Sequence, residues 1–279
     1  MTKNKVYDIV TERIIEKLEA GVVPWKKGWV DGKPVNWVTQ KPYRGINLLL
    51  LDSGGEYATA KQIMASGGKI KKGSKASIAV FYKMLKHSED EEKTFPLLRY
   101  YSLFDINTQV EGLTSKKKKL KEQTISETDC SDVADALINK YINDQKITLK
   151  PGEPSYAPEA DSIQMPDKTS FFTIAEYYST FFHEIVHSTG HHTRLNRGLT
   201  GYSNNKVEYS LEELVAEFGS AMLSSDVGLF DDTLENNAAY IASWKRFLKD
   251  DNTAIVKAAS KAQKAYDFVC GIEDITANA

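Results

Sequence analysis

The segment TSFFTIAEYYSTFFHEIVHSTG, residues 169–190, is the most informative part of the second half of this 279-residue chain. Its apolar residues recur with helical spacing, Thr and Ser precede them as capping residues, and Gly190 is a typical end signal, so the segment predicts one helix. Near its end lies His183-Glu184-Ile185-Val186-His187, the HExxH pattern. Because helical residues four apart lie on one face, both imidazoles can reach a single Zn²⁺.

The HExxH helix supplies a general base and requires a third metal ligand from elsewhere. Glu184 lies about 100° around the helix from His183, where it faces the remaining coordination space. A metzincin histidine is excluded as the third ligand, because Thr193 stands six residues after His187. The gluzincin type takes a glutamate from a later helix, and we predict Glu213 in SLEELVAEFGS.

Other polar residues on this later helix are candidates for supporting roles. Glu217 lies one turn beyond Glu213 on the same face, and we predict that it accepts the outer N–H of a ligand histidine. An exchange of roles between these two glutamates stays open. Glu212 lies about 100° away and is predicted to be an exposed charge. Tyr209 either donates to an oxyanion or packs.

A short strand before the HExxH helix is a candidate for substrate binding. Residues 161–166, DSIQMP, alternate polar and apolar side chains and end at a proline, which favours an edge strand. Ile163 and Gln164 would then hold an extended peptide by β-addition, and a plain sheet edge is the alternative. The predicted chemistry is metal-assisted amide hydrolysis, in which Glu184 takes the proton of the attacking water.

The charge distribution divides the chain into two parts of opposite sign, although the net charge is only -2. Residues 1–125 hold 23 basic and 14 acidic residues, a net charge of +9, whereas the remainder holds 13 and 24, a net charge of −11. The cut falls in residues 114–132, a lysine run followed by polar residues that is typical of a solvated connector. We therefore predict two domains, 1–125 and 126–279.

The predicted elements give an α+β fold in both domains. The first domain opens with a helix over residues 6–18 and continues with strands at 77–85 and 97–106. The second has a helix around 133–142, short strands within 147–166, and then helices only. This pattern predicts a mainly helical second domain with a small sheet.

Cysteine usage and hydropathy indicate where the protein works. Cys130 and Cys270 form no CxxC pattern and are predicted to be packed thiols, which suits a reducing cytoplasm. No uncharged run approaches the roughly 18 apolar residues of a membrane span, and the amino terminus lacks a signal-peptide core. We therefore expect a cytoplasmic protein with no membrane partner.

The basic half interleaves aromatic and basic residues in a way that suits single-stranded DNA. Exposed bases stack on aromatic side chains for about 1–3 kcal/mol each, while cations neutralise the phosphates. The glycines of residues 67–77 also let backbone amides approach a phosphate. The alternative is that the tryptophans belong to the core and the lysines form a solvated rim. The candidate DNA contacts are Trp25, Lys26, Lys27, Trp29, Trp37, Tyr43, Arg44, Lys69, Lys71, Lys72 and Lys75.

Several segments, in this order and spacing, make nearly the whole chain similar to the ArdC-like antirestriction proteins of plasmids and phages. They are PWKKGW (24–29), PYRGINLLLL (42–51), GGKIKKGSKAS (67–77), FPLLRYYSLFDINTQVEGL (95–113), DSIQMP, HEIVHSTGHHTRLNR (183–197), EELVAEFGSAML (212–223) and AAYIASW (238–244). The resemblance implies a single-strand-binding N-terminal module and a zincin-like C-terminal module. It implies that His183, His187 and an acidic residue of EELVAE hold the metal, and that incoming DNA is shielded from host restriction during conjugation or infection.

Three functions stay open at the level of sequence. The first is a DNA-binding metallopeptidase with one zinc per chain and a host protein as substrate. The second is a protein that coats single strands and whose zinc is only structural, and the third is a protease that never meets nucleic acid. The intact Glu184 favours retained hydrolysis, because a structural zinc needs no general base.

Overall fold

The chain folds into two units, and we describe each separately. The structure is a computed structural model that describes residues 5–25, 32–86, 94–117, 127–199, 206–229 and 238–273. Unit 1 comprises Met1–Lys17 and Trp29–Lys121, and unit 2 comprises Leu18–Gly28 and Glu122–Ala279. The main division therefore falls close to residue 125, but the chain also contributes an early segment, Leu18–Gly28, to unit 2. Nothing in the charge pattern pointed to that early segment.

Unit 1 is built on a four-stranded sheet with short helices. The strand order is β1-β2-β5-β4, in which β1 and β2 are parallel and the other pairs antiparallel, and β3 and β6 form a separate antiparallel pair. The elements are α1 (Lys5–Glu19), which runs into unit 2, β1 (Val35–Asn36), α2 (Ile46–Leu50), β2 (Glu56–Thr59), α3 (Ala60–Ala65), β3 (Lys69–Ile70), β4 (Ser77–Lys86), β5 (Thr94–Asp105), α4 (Ile106–Gln109) and β6 (Val110–Glu111).

A buried carboxylate in unit 1 holds the start of the predicted connector. Glu56 on β2 is fully buried and accepts hydrogen bonds from the backbone N–H groups of Lys116 (2.9 Å) and Lys117 (3.2 Å). Burial raises the pKa of Glu56, but these bonds and those from Ser115 and Gln40 lower it by a larger amount, so its pKa lies below the ordinary value. Residues 114–116 are exposed, as expected, but residues 114–117 are fixed to unit 1, so the connector begins later than predicted.

Unit 2 is mainly helical with a three-stranded sheet, so the predicted α+β class is confirmed. The strand order is β7-β9-β8, with β7 parallel and β8 antiparallel to the central strand. The elements are α5 (Glu127–Gln145), β7 (Thr148–Pro151), β8 (Ser155–Ala157), β9 (Ser162–Met165), a 3-10 turn (Lys168–Ser170), α6 (Ile174–Thr189), α7 (Lys206–Asp226), α8 (Ala238–Asp250) and α9 (Ala254–Cys270). Because α5 begins at Glu127, the predicted connector is also shorter at its far end.

The core of unit 2 forms where α6, α7 and α9 pack together. Helix α9 turns a row of buried small side chains inward, which lets neighbouring helices come close, and Gly219 does the same on α7. A Cβ at Gly219 would lie 2.6 Å from Cγ2 of Val186 on α6, so the close α6–α7 contact requires glycine there. Cys130 and Cys270 form no disulfide bond with each other. No helix in the described ranges combines the length and hydropathy needed to cross a bilayer.

Candidate metal centre

Helix α6 places the two histidines of the HExxH pattern side by side. The Thr173 side chain caps the helix by accepting from the N–H of Glu176 (3.0 Å), and the helix ends at Gly190 as predicted. Its apolar face is buried, which fixes the rotation of the helix about its own axis. The Nε2 atoms of His183 and His187 consequently lie 3.0 Å apart.

Helix α7 brings Glu213 to the same point. One carboxylate oxygen lies 3.5 Å from His183 Nε2 and the other 3.5 Å from His187 Nε2. Four-coordinate zinc with ligand bonds of about 2.0–2.1 Å needs donor atoms roughly 3.3 Å apart. Among the described residues, His183, His187 and Glu213 are the group whose ligand atoms all fall within 4.8 Å of one another. Both the spacing and the two-imidazole, one-carboxylate chemistry therefore fit a divalent metal ion.

The charges around these three residues also favour a cation. Burial lowers the pKa of His183, but the carboxylates of Glu213, Glu217 and Glu184 raise it by a larger amount, so its pKa lies above the ordinary value. For Glu213, burial raises the pKa and the two imidazoles lower it by more. The carboxylates of the site thus attract positive charge, and a bound cation would satisfy them.

A buried carboxylate, that of Glu212, lies beside the outer imidazole nitrogen of His187. Its Oε1 lies 3.3 Å from His187 Nδ1, and its side chain is only 3% exposed. Arg197 binds the same carboxylate with two nitrogens, at 2.6 and 2.9 Å, and donates to the backbone carbonyl of Val186 (2.7 Å). Burial raises the pKa of Glu212, but the bonds to His187 and Arg197 lower it by more.

The role predicted for Glu217 stays a prediction: its carboxylate accepts a hydrogen bond from the Tyr240 hydroxyl at 3.1 Å, and its charge raises the pKa of His183. The role predicted for Glu212 is wrong, because Glu212 is buried rather than exposed and lies beside the outer imidazole nitrogen of His187. Helical spacing alone missed this, because Arg197 and the loop that carries it determine which side of α7 is covered. The sequence signal was an arginine, Arg197, following the histidine helix at short range.

Glu184 lies on the open side of the site, as the pattern predicts for a general base. It lines a cleft of about 420 Å³ together with the three proposed ligands. Burial raises the pKa of Glu184, the imidazoles of His187 and His183 lower it, and Glu213 raises it, with a net increase. The backbone N–H of Tyr156 also contributes a hydrogen bond to this carboxylate.

The strand that borders the cleft is β8, not β9. Ile163 and Gln164 lie on β9, which is the central strand, and Ile163 is fully buried. The prediction that residues 161–166 form the substrate-binding edge is therefore wrong, because β8 pairs along that side of β9. Ser155 and Tyr156 of β8 line the cleft instead. Flanking prolines on β8, at 154 and 158, were the sequence signal for an edge strand.

A partly buried ion pair fastens β8 to the end of α6. Arg194 donates to Asp161 Oδ2 (3.0 Å), to the Tyr156 hydroxyl (3.1 Å) and to the backbone carbonyl of Ser188 (2.7 Å). The Tyr156 hydroxyl in turn donates to Asp161 at 2.8 Å. Burial raises the pKa of Asp161, but these contacts lower it by more. The network holds the cleft edge against the HExxH helix.

Tyr209 stands at the mouth of the cleft, half exposed. Its hydroxyl hydrogen-bonds the Glu213 carboxylate, and the charge of Glu213 is the main cause that raises the pKa of Tyr209, followed by burial. Tyr209 is thus placed at the site rather than in the core. His191 lies nearby but bonds Thr193 (2.7 Å) and contributes no donor atom to the His183, His187 and Glu213 group.

The predicted DNA contacts are divided between the two units. Trp25 belongs to unit 2 and is only 1% exposed, because it packs against Phe218 (5.0 Å between ring centroids) and donates to Tyr240. Trp37 is buried in unit 1, donates to the Thr114 carbonyl (2.9 Å), and is covered by Lys116. Neither indole presents a face to a base, so both are wrong as stacking residues.

The remaining DNA candidates that the structure describes are basic residues and one tyrosine of unit 1. Tyr43 is half-buried against the core. Lys26, Lys27 and Trp29 lie outside the described residues. The exposed basic side chains among the candidates are Arg44, Lys69, Lys71, Lys72 and Lys75.

Unit 2 has the features of a zincin-like domain: two histidines of an HExxH helix, a glutamate from a following helix and the Glu184 carboxylate facing an open cleft. Residues 133–261 match the family model described as a zincin-like metallopeptidase, and residues 4–125 match the N-terminal domain of the anti-restriction factor ArdC. The chain belongs to the ArdC family of antirestriction proteins.

Solved structures and curated proteins with similar sequences agree with this family. The crystal structures of the antirestriction ArdC protein from plasmid R388 align over 95% of this chain and 97% of theirs. The metal-free form gives a TM-score of 0.70 at 34% identity, and the Mn(II)-bound form 0.73 at 33%. Protein y4eC of Sinorhizobium fredii is 30% identical over 96% of this chain and 92% of its own length. Two Escherichia coli proteins named DNA primase TraC are 32% and 30% identical, but the chain spans only 27% and 20% of their lengths.

Proposed function

We propose that this protein binds single-stranded DNA through unit 1 and hydrolyses a peptide bond of a host protein in unit 2, and that it thereby protects incoming plasmid or phage DNA from restriction. The observation that carries the proposal is the convergence of His183, His187 and Glu213 beside a cleft that Glu184 faces. A structural metal site has no use for a buried carboxylate on its open side. The family relationship supports the antirestriction role.

We propose that the metal is zinc, one ion per chain, held by His183, His187 and Glu213. Two imidazoles and one carboxylate form a common catalytic zinc ligand set that leaves a position for water. When bound, such an ion polarises a peptide carbonyl and lowers the pKa of a bound water to about 7. The Mn(II)-bound form of the R388 protein supports a divalent ion in this family.

The side chains around the cleft would divide the work of hydrolysis. The Glu184 carboxylate is positioned to accept a proton from the attacking water and pass it to the leaving amine nitrogen. Strand β8, as the cleft edge, would bind an extended peptide through backbone hydrogen bonds. The Tyr209 hydroxyl would donate to the developing oxyanion after leaving its bond to Glu213.

The positive charge of the first half supports binding of DNA. A net charge of +9 over residues 1–125 attracts a polyanion, whereas −11 over the remainder repels it from the acidic cleft. A single strand would be held by phosphate contacts and by stacked bases. The affinity for a labelled oligonucleotide should fall with salt at a slope near −0.7 per phosphate contacted.

A second function, in which the metal only cross-links the fold, is favoured by the ligands' location on two different helices. An ion held by α6 and α7 would fasten the two helices together. The protein would then block nucleases by occupying the strand. Against this, the R388 protein has also been crystallised in a metal-free form with the same fold, at a TM-score of 0.70 to this chain.

A Glu184→Gln variant separates the two functions. Because the amide keeps the size of the side chain and the metal ligands are untouched, we expect normal metal content and normal DNA binding. Hydrolysis of a synthetic peptide library, followed by mass spectrometry with and without single-stranded DNA, should be lost by at least about 100-fold, as is typical for removal of a general base. Asp144→Asn, an exposed carboxylate on α5, is the matched control.

Protection in cells decides which activity matters. Transfer of unmodified DNA into a restricting host should be protected by the parent and the Asp144→Asn control but not by Glu184→Gln. Equal protection by Glu184→Gln would show that hydrolysis is not the step that protects DNA, and it would favour the second function.

A further inference from the structure

We propose that one face of the β4–β5 ribbon in unit 1, the aromatic face formed by Phe81, Arg99 and Tyr101, stacks the bases of a bound single strand. This inference rests on the proposed function, because it assigns the surface through which unit 1 would hold DNA. It replaces the two buried tryptophans as the source of aromatic contacts.

The strand register places the three side chains together. Phe81 lies directly opposite Arg99, and Ala79 lies directly opposite Tyr101. Because side chains two apart on a strand point the same way, these four residues share one face of the ribbon. Phe81 and Tyr101 are diagonal neighbours on that face, and such residues lie roughly 7–8 Å apart. The small Ala79 leaves the Tyr101 ring uncovered on its cross-strand side.

Exposure changes sharply along this face. Ala79 and Leu103 are buried in a core cluster with Leu51 and Tyr57, so this end of the ribbon is anchored. Further along the same face, Phe81 is 45% and Tyr101 46% exposed. The core therefore fixes the backbone but leaves nearly half of each of these two residues exposed to solvent. Isolated exposed apolar residues are ordinary, but two adjacent rings beside a cation form a contiguous surface.

The charge of this surface identifies the kind of partner. Arg99 has no acidic side chain paired with it among the described residues, and it stands on the same face as both rings. The half of the chain that contains the ribbon carries a net charge of +9. A partner that can stack on apolar rings and also pair with an exposed guanidinium is a polyanion with exposed aromatic faces. Single-stranded nucleic acid has this chemistry, whereas a duplex hides the base faces within its stack.

Two neighbouring tyrosines provide a matched pair of variants. Tyr100 and Tyr101 are both 46% exposed on the same strand but lie on opposite faces of the ribbon. In the full-length protein, Tyr101→Ala and Phe81→Ala should each weaken binding of a labelled 20-nucleotide mixed-sequence single strand. At about 1–3 kcal/mol per stacked base, the loss is roughly 5- to 150-fold in Kd. Tyr100→Ala should bind like the parent.

An abasic strand distinguishes stacking from a change of fold. A 20-nucleotide strand without bases keeps every phosphate, so the parent, Tyr101→Ala and Phe81→Ala should bind it equally. A variant that had merely damaged unit 1 would bind both strands more weakly. Tyr101→Phe keeps the ring and should restore binding of the normal strand, while Arg99→Ala should reduce the salt slope by about 0.7.

The outcomes of this experiment separate the inference from the function on which it rests. Selective loss with Tyr101→Ala and Phe81→Ala on the normal strand supports the aromatic face. If these variants bind like the parent, or if Tyr100→Ala weakens binding equally, the aromatic face is wrong while DNA binding by the protein stands. If the parent itself binds no single strand, the proposed function fails and the inference fails with it.

Discussion

At the scale of single residues, the proposed metal ligands were predictable from sequence, but the side chains that contact them were not. His183, Glu184 and His187 occupy the geometry that the HExxH spacing predicts, and Glu213 stays the proposed third ligand. The contacting side chain is Glu212, which helical spacing placed on the solvent side. Burial at that position depends on Arg197, which comes from a loop whose course no local pattern encodes.

Replacement of Glu212 tests that contact. Glu212→Ala would free His187 Nδ1 and leave the Arg197 guanidinium, 4% exposed, without its carboxylate. We expect metal affinity to fall by about 10- to 100-fold and stability by about 3–5 kcal/mol. Competition with a chromophoric chelator and urea unfolding measure the two effects. Asp144→Ala, which breaks the exposed Lys140–Asp144 pair, should change stability by less than about 1 kcal/mol.

The outcome for metal affinity decides the role of Glu212. Parental affinity in Glu212→Ala would mean that its carboxylate only neutralises Arg197. A loss of affinity that Glu212→Gln partly restores would agree with orientation of the imidazole.

At the scale of secondary-structure elements, the helices and strands with a clear hydrophobic period were predictable from sequence. Which elements pack or pair with each other in space was not. The bounds of α6 agree with its capping and glycine signals, and β4 and β5 lie at the predicted aromatic-rich segments. The order of β7, β8 and β9 was missed, because alternation along one short strand does not reveal which strands lie on either side of it. The three-residue β8 is too short for periodicity to detect.

The distance between α6 and α7 should depend on Gly219. A methyl group at this position would collide with Val186, so Gly219→Ala is expected to push α7 away and separate Glu213 from the histidines. We expect a loss of about 1–3 kcal/mol in stability and weaker metal binding, although alanine favours helix more than glycine does. Calorimetry and metal titration check both effects. Ser225→Ala, on the same helix, is the control, and a stabilised Gly219→Ala with normal affinity would contradict the expectation.

The Arg194–Asp161 pair should make unit 2 sensitive to acid. Because the pKa of Asp161 in the folded protein lies below its ordinary value near 3.8, its contribution is present above that value. The contribution is lost as the pH falls from about 4 through the lowered pKa. Urea unfolding between pH 3 and 7 should therefore show a steeper acid loss in the parent than in Asp161→Asn. Parallel curves for the two proteins would contradict this role.

At the scale of the whole molecule, charge asymmetry predicted two units but not their full composition. Leu18–Gly28 belongs to unit 2, where Trp25 packs into the core against Phe218, and the charge pattern does not reveal this contact. Tryptophan beside lysine is typical of DNA-binding surfaces and of cores alike, and composition cannot separate the two. The strand register, which no local pattern encodes, identifies the exposed aromatic residues of unit 1.

Removal of the metal should affect the two units differently. The proposed ligands all lie in unit 2, so chelation should lower the unfolding temperature of the transition that belongs to it, and zinc should restore that temperature. Binding of a single strand by unit 1 should stay within about twofold of the parent value. Calorimetry and oligonucleotide titration, each with and without chelator, check this. Loss of DNA binding on chelation would contradict it.

Anomalous diffraction at the zinc edge shows whether His183, His187 and Glu213 hold one divalent ion. We expect a single peak in unit 2, about 2.0–2.2 Å from both Nε2 atoms and from a Glu213 oxygen. A crystal of zinc-supplemented protein with no peak there, or with the peak bound by Glu217 in place of Glu213, would contradict it.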